Sequence, residues 1–127
     1  MLDVDKWPKK DIYSLIQSCA DAANWNTAIS NPCFEVWLHY HFCKEISEDL
    51  NTPAKLKKNL HTAVKGGYNR DAFCKMMVTA IKYATHADSD KGHSYPQIRI
   101  TKVYQLANQL LTFLGKSCLQ KHGISFT

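Results

Sequence analysis

The stretch Ser30-Asn31-Pro32-Cys33-Phe34-Glu35-Val36-Trp37 decides the fold. Just before it, residues 25–30 carry Thr27 and Ile29 in a short run, which suits a strand centred on residues 27–29. Ser30-Asn31 followed by Pro32 then reads as a cap with proline in the first turn, opening a helix over residues 32–43. Further upstream, residues 1–4 have room only for the end of a strand. Trp7-Pro8 turns the chain into a helix expected over residues 9–23. Its Ile12, Leu15, Ile16, Cys19, Ala20 and Ala23 fall on one stripe at helical spacing. Residues 1–45 thus run strand end, helix, strand, helix, which is an α/β order.

Downstream the pattern becomes helical. Thr52-Pro53 repeats the cap-plus-proline signal, and Leu56, Leu60 and Val64 carry a helix over residues 53–65 until Gly66-Gly67 stops it. Phe73, Met76, Met77, Ala80, Ile81 and Ala84 mark the buried side of another helix over residues 69–85. Residues 87–99, with Asp, Ser, Gly, His and Pro, read as a loop. Thr101 caps a last helix over residues 101–114, where Val103, Tyr104, Leu106, Ala107, Leu110, Leu111 and Leu114 form a wide apolar face. Gly115 ends it, and a loosely ordered tail is expected beyond. The expectation is one domain over residues 1–127, α/β but mostly helical. An α/β half occupies residues 1–45 and a helical extension residues 46–127.

Composition narrows the function. The 127 residues amount to one domain, and no apolar run approaches the roughly 18 residues that span a bilayer. The first residues lack the features of a signal peptide. Cys19, Cys33, Cys43, Cys74 and Cys118 are odd in number and form no CxxC pair, so free thiols in a soluble, cytoplasmic chain are expected. The net charge of +5 is unevenly placed: residues 1–50 carry −4 and residues 51–127 carry +9. An acidic head suits a cation and a basic body suits an anionic partner such as nucleic acid.

Four constellations bear on chemistry. Asp3 and Asp5 sit where a strand ends and turns, so both carboxylates can converge; hard oxygen donors there suit Mg²⁺ or Mn²⁺. A solvated chain end explains the same pair. Asn31 and Glu35 fall at the same sheet edge, as an amide and a carboxylate lining a site or as a helix cap and a first-turn acid. Cys33, His39, His41 and Cys43 lack the second ligand pair of a zinc site, which leaves His41 as a packed histidine near the sheet. In the basic stretch Lys55, Lys57, Lys58, Lys65, Arg70, Lys75 and Lys82, Lys55 and Lys58 with Lys65 can lie along one exposed helical surface, either an ordinary solvated face or a phosphate contact without base preference.

The Asp3-Val4-Asp5 triplet, the block at residues 30–37 and the following run to His41-Phe42 resemble the RloB-like family. So do Ala80-Ile81-Lys82-Tyr83-Ala84 and Ile100-Thr101-Lys102-Val103-Tyr104-Gln105-Leu106. The resemblance implies a Toprim-like α/β core with helical additions, encoded beside restriction-modification or phage-defence genes. It implies metal-dependent nucleic-acid cleavage, with Asp3 and Asp5 matching the family's DxD pair and Asp3, Asp5 and Glu35 as the catalytic carboxylates. Asn31, Lys55, Lys57 and Lys58 would hold substrate. The first strand of such a core, with its glutamate, has no counterpart here, so the chain is expected to be a C-terminal portion. Its partners would be the remaining half, an ATPase or further copies. The alternative is a non-catalytic helical module that binds a partner protein.

Overall fold

Helical spacing of apolar residues accounts for most of the regular structure in the computed structural model, which describes residues 1–124. The elements are β1 (Leu2–Asp3), a single 3-10 turn (Val4–Lys6), α1 (Lys9–Asp21), β2 (Ile29–Asn31), α2 (Glu35–His39) and α3 (Pro53–Ala63). They continue with α4 (Arg70–Lys75), α5 (Met77–Ala87), β3 (Ile100–Thr101), α6 (Val103–Leu114) and α7 (Lys116–Lys121). The protein is a mostly helical α/β fold with a small mixed sheet in the order β1-β2-β3. β1 runs parallel to β2, with Leu2 beside Ile29 and Asp3 beside Ser30. β3 runs antiparallel, with Thr101 beside Ser30 and Ile100 beside Asn31.

Several elements begin where their chemistry dictates. The Thr52 side chain accepts from the Lys55 N–H at 3.3 Å, Pro53 occupies the first turn, and Leu56 and Leu60 turn inward. Asn69 caps α4 by accepting from the Ala72 N–H at 3.1 Å. The core joins Ala28, Cys33, Val36, Trp37 and Tyr40 to Leu56, Ala80, Ala84, Val103, Tyr104 and Ala107. Ala80 and Ala84, one turn apart on α5, leave room for α2 and α6 to approach closely.

The structure departs from the sequence expectations at five places. The strand expected at residues 27–29 lies two residues later, and the helix expected from Pro32 starts at Glu35, after a turn entered through a cis Asn31–Pro32 peptide. The helix expected over 69–85 breaks at Met76. The break lets Phe73 pack on His41 and Tyr68 while Ala80 and Ala84 face the core. Ile100 and Thr101 form a strand instead of opening a helix. Thr101 does both jobs, bonding Ser30 Oγ at 2.8 Å and accepting from the Val103 N–H at 3.1 Å. On α6 the buried face is narrower than its composition suggests: Val103, Tyr104, Ala107 and Leu111 are inside, whereas Leu106, Leu110, Phe113 and Leu114 are exposed. The tail after Gly115 forms α7, which buries Leu119, and Ile124 packs beside it. Only residues 125–127 of that tail lie outside the described residues.

No helix among the described residues is long and apolar enough to cross a membrane. All five cysteines are free thiols, Cys33 buried and the others partly so.

Candidate functional site

β1 and β2 are parallel, so their carboxyl ends share one edge of the sheet, the edge at which open α/β sheets place ligands. Asp3 ends β1 and Asn31 ends β2. The link from β2 to α2 folds over this edge. The Pro32 carbonyl accepts from the Asp5 N–H at 3.0 Å, and the Phe34 N–H donates to the Asp3 carboxylate. Glu35 follows as the first residue of α2, where its charge suits the helix N-terminus. The fold therefore brings Asp3, Asp5 and Glu35 to one place.

Electrostatics reflect that convergence. Burial, then the charges of Asp5 and Glu35, push the Asp3 carboxyl above its ordinary value, against the Phe34 N–H and Lys6. Cys33 lies in the same cluster. Burial, with the Glu35 and Asp3 carboxylates, pushes its thiol up to about 12, so it remains a protonated donor to Glu35. Nothing in the spacing of the sequence singled out Cys33 as a neighbour of both acids. Lys57 Nζ stands 3.9 Å from Glu35 Oε1, the one residue of the lysine set paired with the cluster. Lys55 instead reaches back to the Asn51 amide at 3.4 Å, and Lys58 is exposed without an ion pair among the described residues.

Asn31 caps no helix. Its Nδ2 donates to the Pro96 carbonyl at 2.9 Å, and its own carbonyl accepts from the Arg99 N–H at 2.8 Å. It pins the 88–99 loop to the sheet edge. The other end of that loop is fixed by Lys102, whose buried ammonium donates to Asp88 Oδ2 at 2.6 Å and to the Asp90 carbonyl at 2.7 Å. The Tyr104 hydroxyl donates to the same Asp88 oxygen at 2.7 Å. Burial alone would raise the Asp88 carboxyl, but these two donors hold it below its ordinary value.

The His/Cys set is structural. His39 Nδ1 donates to the Glu35 carbonyl at 2.7 Å, and Cys43 Sγ donates to the His39 carbonyl at 3.0 Å. His41 donates through Nδ1 to the Trp37 carbonyl at 3.0 Å and packs edge-on against Trp37 and Phe73, among helices rather than on the sheet. Burial lowers its pKa to about 4. Among the described residues no group of three or more His, Cys, Asp or Glu side chains is arranged to hold a metal ion. Any ion at the sheet edge would thus rest on one or two carboxylates with water and substrate oxygens. That donor set suits Mg²⁺ and not zinc.

Comparison with curated proteins and with solved structures gives no match. The family model described as RloB-like protein matches residues 1–110, most of the chain, so this protein belongs to the RloB-like family.

Proposed function

We propose that the chain serves in metal-dependent cleavage of phosphodiester bonds in nucleic acid, as a Toprim-type member of the family acting in phage defence. The supporting observation is the convergence of Asp3, Asp5 and Glu35 at the carboxyl end of the parallel strands. Asp3 and Asp5 would hold Mg²⁺ or Mn²⁺, which when bound polarises a phosphate oxygen and neutralises developing charge. Burial, then the charges of Asp5 and Glu35, make Asp3 more basic, and those two charges favour a cation or a proton at its carboxylate. Lys57, at the margin of the cluster, meets a phosphate beside the acids. Lys55 and Lys58 extend that contact along α3 without reading bases. The anionic partner accounts for the basic charge of residues 51–127.

The test is incubation of the chain with DNA and RNA, single- and double-stranded, in Mg²⁺ or Mn²⁺. Cleavage that requires the ion and disappears in Asp3→Asn and Asp5→Asn supports the assignment. Cleavage that persists in both variants rules these carboxylates out.

A second reading has its own observation. Leu106, Leu110, Phe113 and Leu114 form an exposed apolar stripe on α6, Phe113 being 87% exposed, and Met1, Trp7 and Trp25 are exposed as well. Such a surface suits a binding module that docks on an ATPase, on a further part of the enzyme or on another copy. Ion-independent assembly in light scattering, with no cleavage of any nucleic acid, favours this reading.

A further inference from the structure

A cavity of about 310 Å³ lies among the end of β2, the start of α1 and the 88–102 segment, at the small end of the roughly 300–1,000 Å³ typical of ligand clefts. Asn31 lines it, one residue beyond Ser30, the register partner of Asp3. Lys9 lines it too, four residues after Asp5 at the start of α1. The cavity thus shares β2 and the start of α1 with the acids, which are not among its lining residues.

Its wall has an unusual chemistry. Lys102 and Asp88 neutralise each other at its base. The Lys9 ammonium takes part in no ion pair among the described residues. It sits instead 5.2 Å from the centre of the Tyr95 ring and 5.9 Å from that of Tyr13. Those two rings stack at 5.1 Å and 7°, which fixes Tyr95 as a flat, rigid wall. His93 donates through Nδ1 to the Tyr95 carbonyl, leaving Nε2 free for a ligand. Ser89 and Gln97 also line the cavity, and their side chains make no hydrogen bond among the described residues. Asp90 lines the cavity as well, its carboxylate in no ion pair among the described residues. The inventory is one cation and one carboxylate without ion pairs, one ordered aromatic face and several polar side chains without hydrogen bonds. That combination recognises an anionic group joined to a flat heterocycle through a hydroxylated linker.

We propose that this cavity takes one nucleotide unit, with its phosphate on Lys9, its base against Tyr95 and its sugar facing Ser89 and Gln97. The inference rests on the nucleic-acid reading of the carboxylate site and adds to it a subsite for a single nucleotide. A lone lysine supplies the charge without sequence preference, and stacking on tyrosine tolerates every base. The ion pair and the Asn31 contact hold the loop in place beforehand, so little ordering is needed on binding.

The experiment is calorimetric titration of the full chain in EDTA with 5′-AMP, with 5′-UMP and with a short single-stranded RNA. Saturable binding of a mononucleotide assigns the site to free nucleotides as well as strands. Binding of the RNA alone assigns it to a unit within a strand. In either case Tyr95→Ala and the exposed-site variant Lys9→Gln should each weaken binding by about tenfold, the scale of one lost base stack. Tyr95→Phe should retain it. No binding of any of the three, or full affinity in both Tyr95→Ala and Lys9→Gln, overturns the proposal. Because EDTA removes the metal, this titration reads the subsite apart from cleavage: nucleotide binding by a chain that cleaves nothing in the Mg²⁺ and Mn²⁺ assay refutes the catalytic assignment and leaves the subsite standing.

Discussion

Replacing Lys102 by methionine isolates the interaction that holds the 88–102 segment to the sheet edge. Lys102 and Asp88 have side chains 2% and 4% exposed, with their charged atoms 2.6 Å apart. Methionine keeps most of the volume of the stem and removes the ammonium. Asp88 is then a buried carboxylate with only the Tyr104 hydroxyl at 2.7 Å and the Asp90 N–H at 3.2 Å as donors. Breaking a buried pair from one side costs about 3–5 kcal/mol, because the remaining charge is uncompensated. For a domain of this size that corresponds to a fall in Tm of roughly 10–20 °C, read by circular dichroism. The pH dependence supplies a second signature. In the parent chain the depressed Asp88 carboxyl contributes stability that is present above its ordinary value of 3.8 and lost as pH falls through the depressed one. Without Lys102 the folded-state carboxyl shifts upward instead, so the variant's deficit shrinks as acid protonates it. Asp88→Asn combined with Lys102→Met removes both charges and recovers most of the loss. A loss below about 1 kcal/mol for Lys102→Met, the range of an exposed pair, refutes the reasoning.

His41 gives a separate acid sensitivity. With its folded-state pKa at about 4 against 6.5 unfolded, the unfolded chain takes up the proton first, so stability falls between these values by about 3 kcal/mol. His41→Phe should flatten that part of the stability–pH curve in urea melts; an unchanged slope removes His41 as the cause. For nucleic acid, Lys55→Ala, Lys57→Ala and Lys58→Ala should each reduce the salt slope of binding by about one unit, whatever the base sequence. Fluorescence titrations at several salt concentrations check this, and a base-dependent loss contradicts a purely phosphate contact.

Local chemistry made part of this legible in the sequence. Thr52-Pro53 and the Leu56–Leu60 spacing marked α3, because a cap and a buried stripe are encoded within a few residues. The strand before Pro32 and the two aspartates after Leu2 pointed to one sheet edge, since parallel strands end together. Contacts that depend on distant residues were illegible. Lys102 and Asp88 are fourteen residues apart, and each alone looks like a solvated charge; only the fold makes them a buried pair. β3 is two residues long, too short for alternation to register, and exists because Ser30 and Asn31 offer it a partner. The 88–99 loop carried ordinary turn composition, so neither its anchoring by Asn31 nor the Tyr13–Tyr95 stack could be inferred from it. On α6 the apolar residues exceed what the core covers. Composition reported their hydrophobicity, whereas their burial depends on the elements packed around them.

The central proposal is that Asp3 and Asp5, with Glu35 beside them, hold a divalent cation at the carboxyl end of the parallel strands. Titration of ¹⁵N-labelled chain with Mn²⁺ tests it most directly, because the paramagnetic ion broadens amide resonances near its binding position. The expected result is broadening at low Mn²⁺ centred on Asp3, Asp5, Phe34 and Glu35, suppressed by competing Mg²⁺ and absent in Asp3→Asn. Broadening centred elsewhere, or the same pattern retained in Asp3→Asn, would contradict the claim.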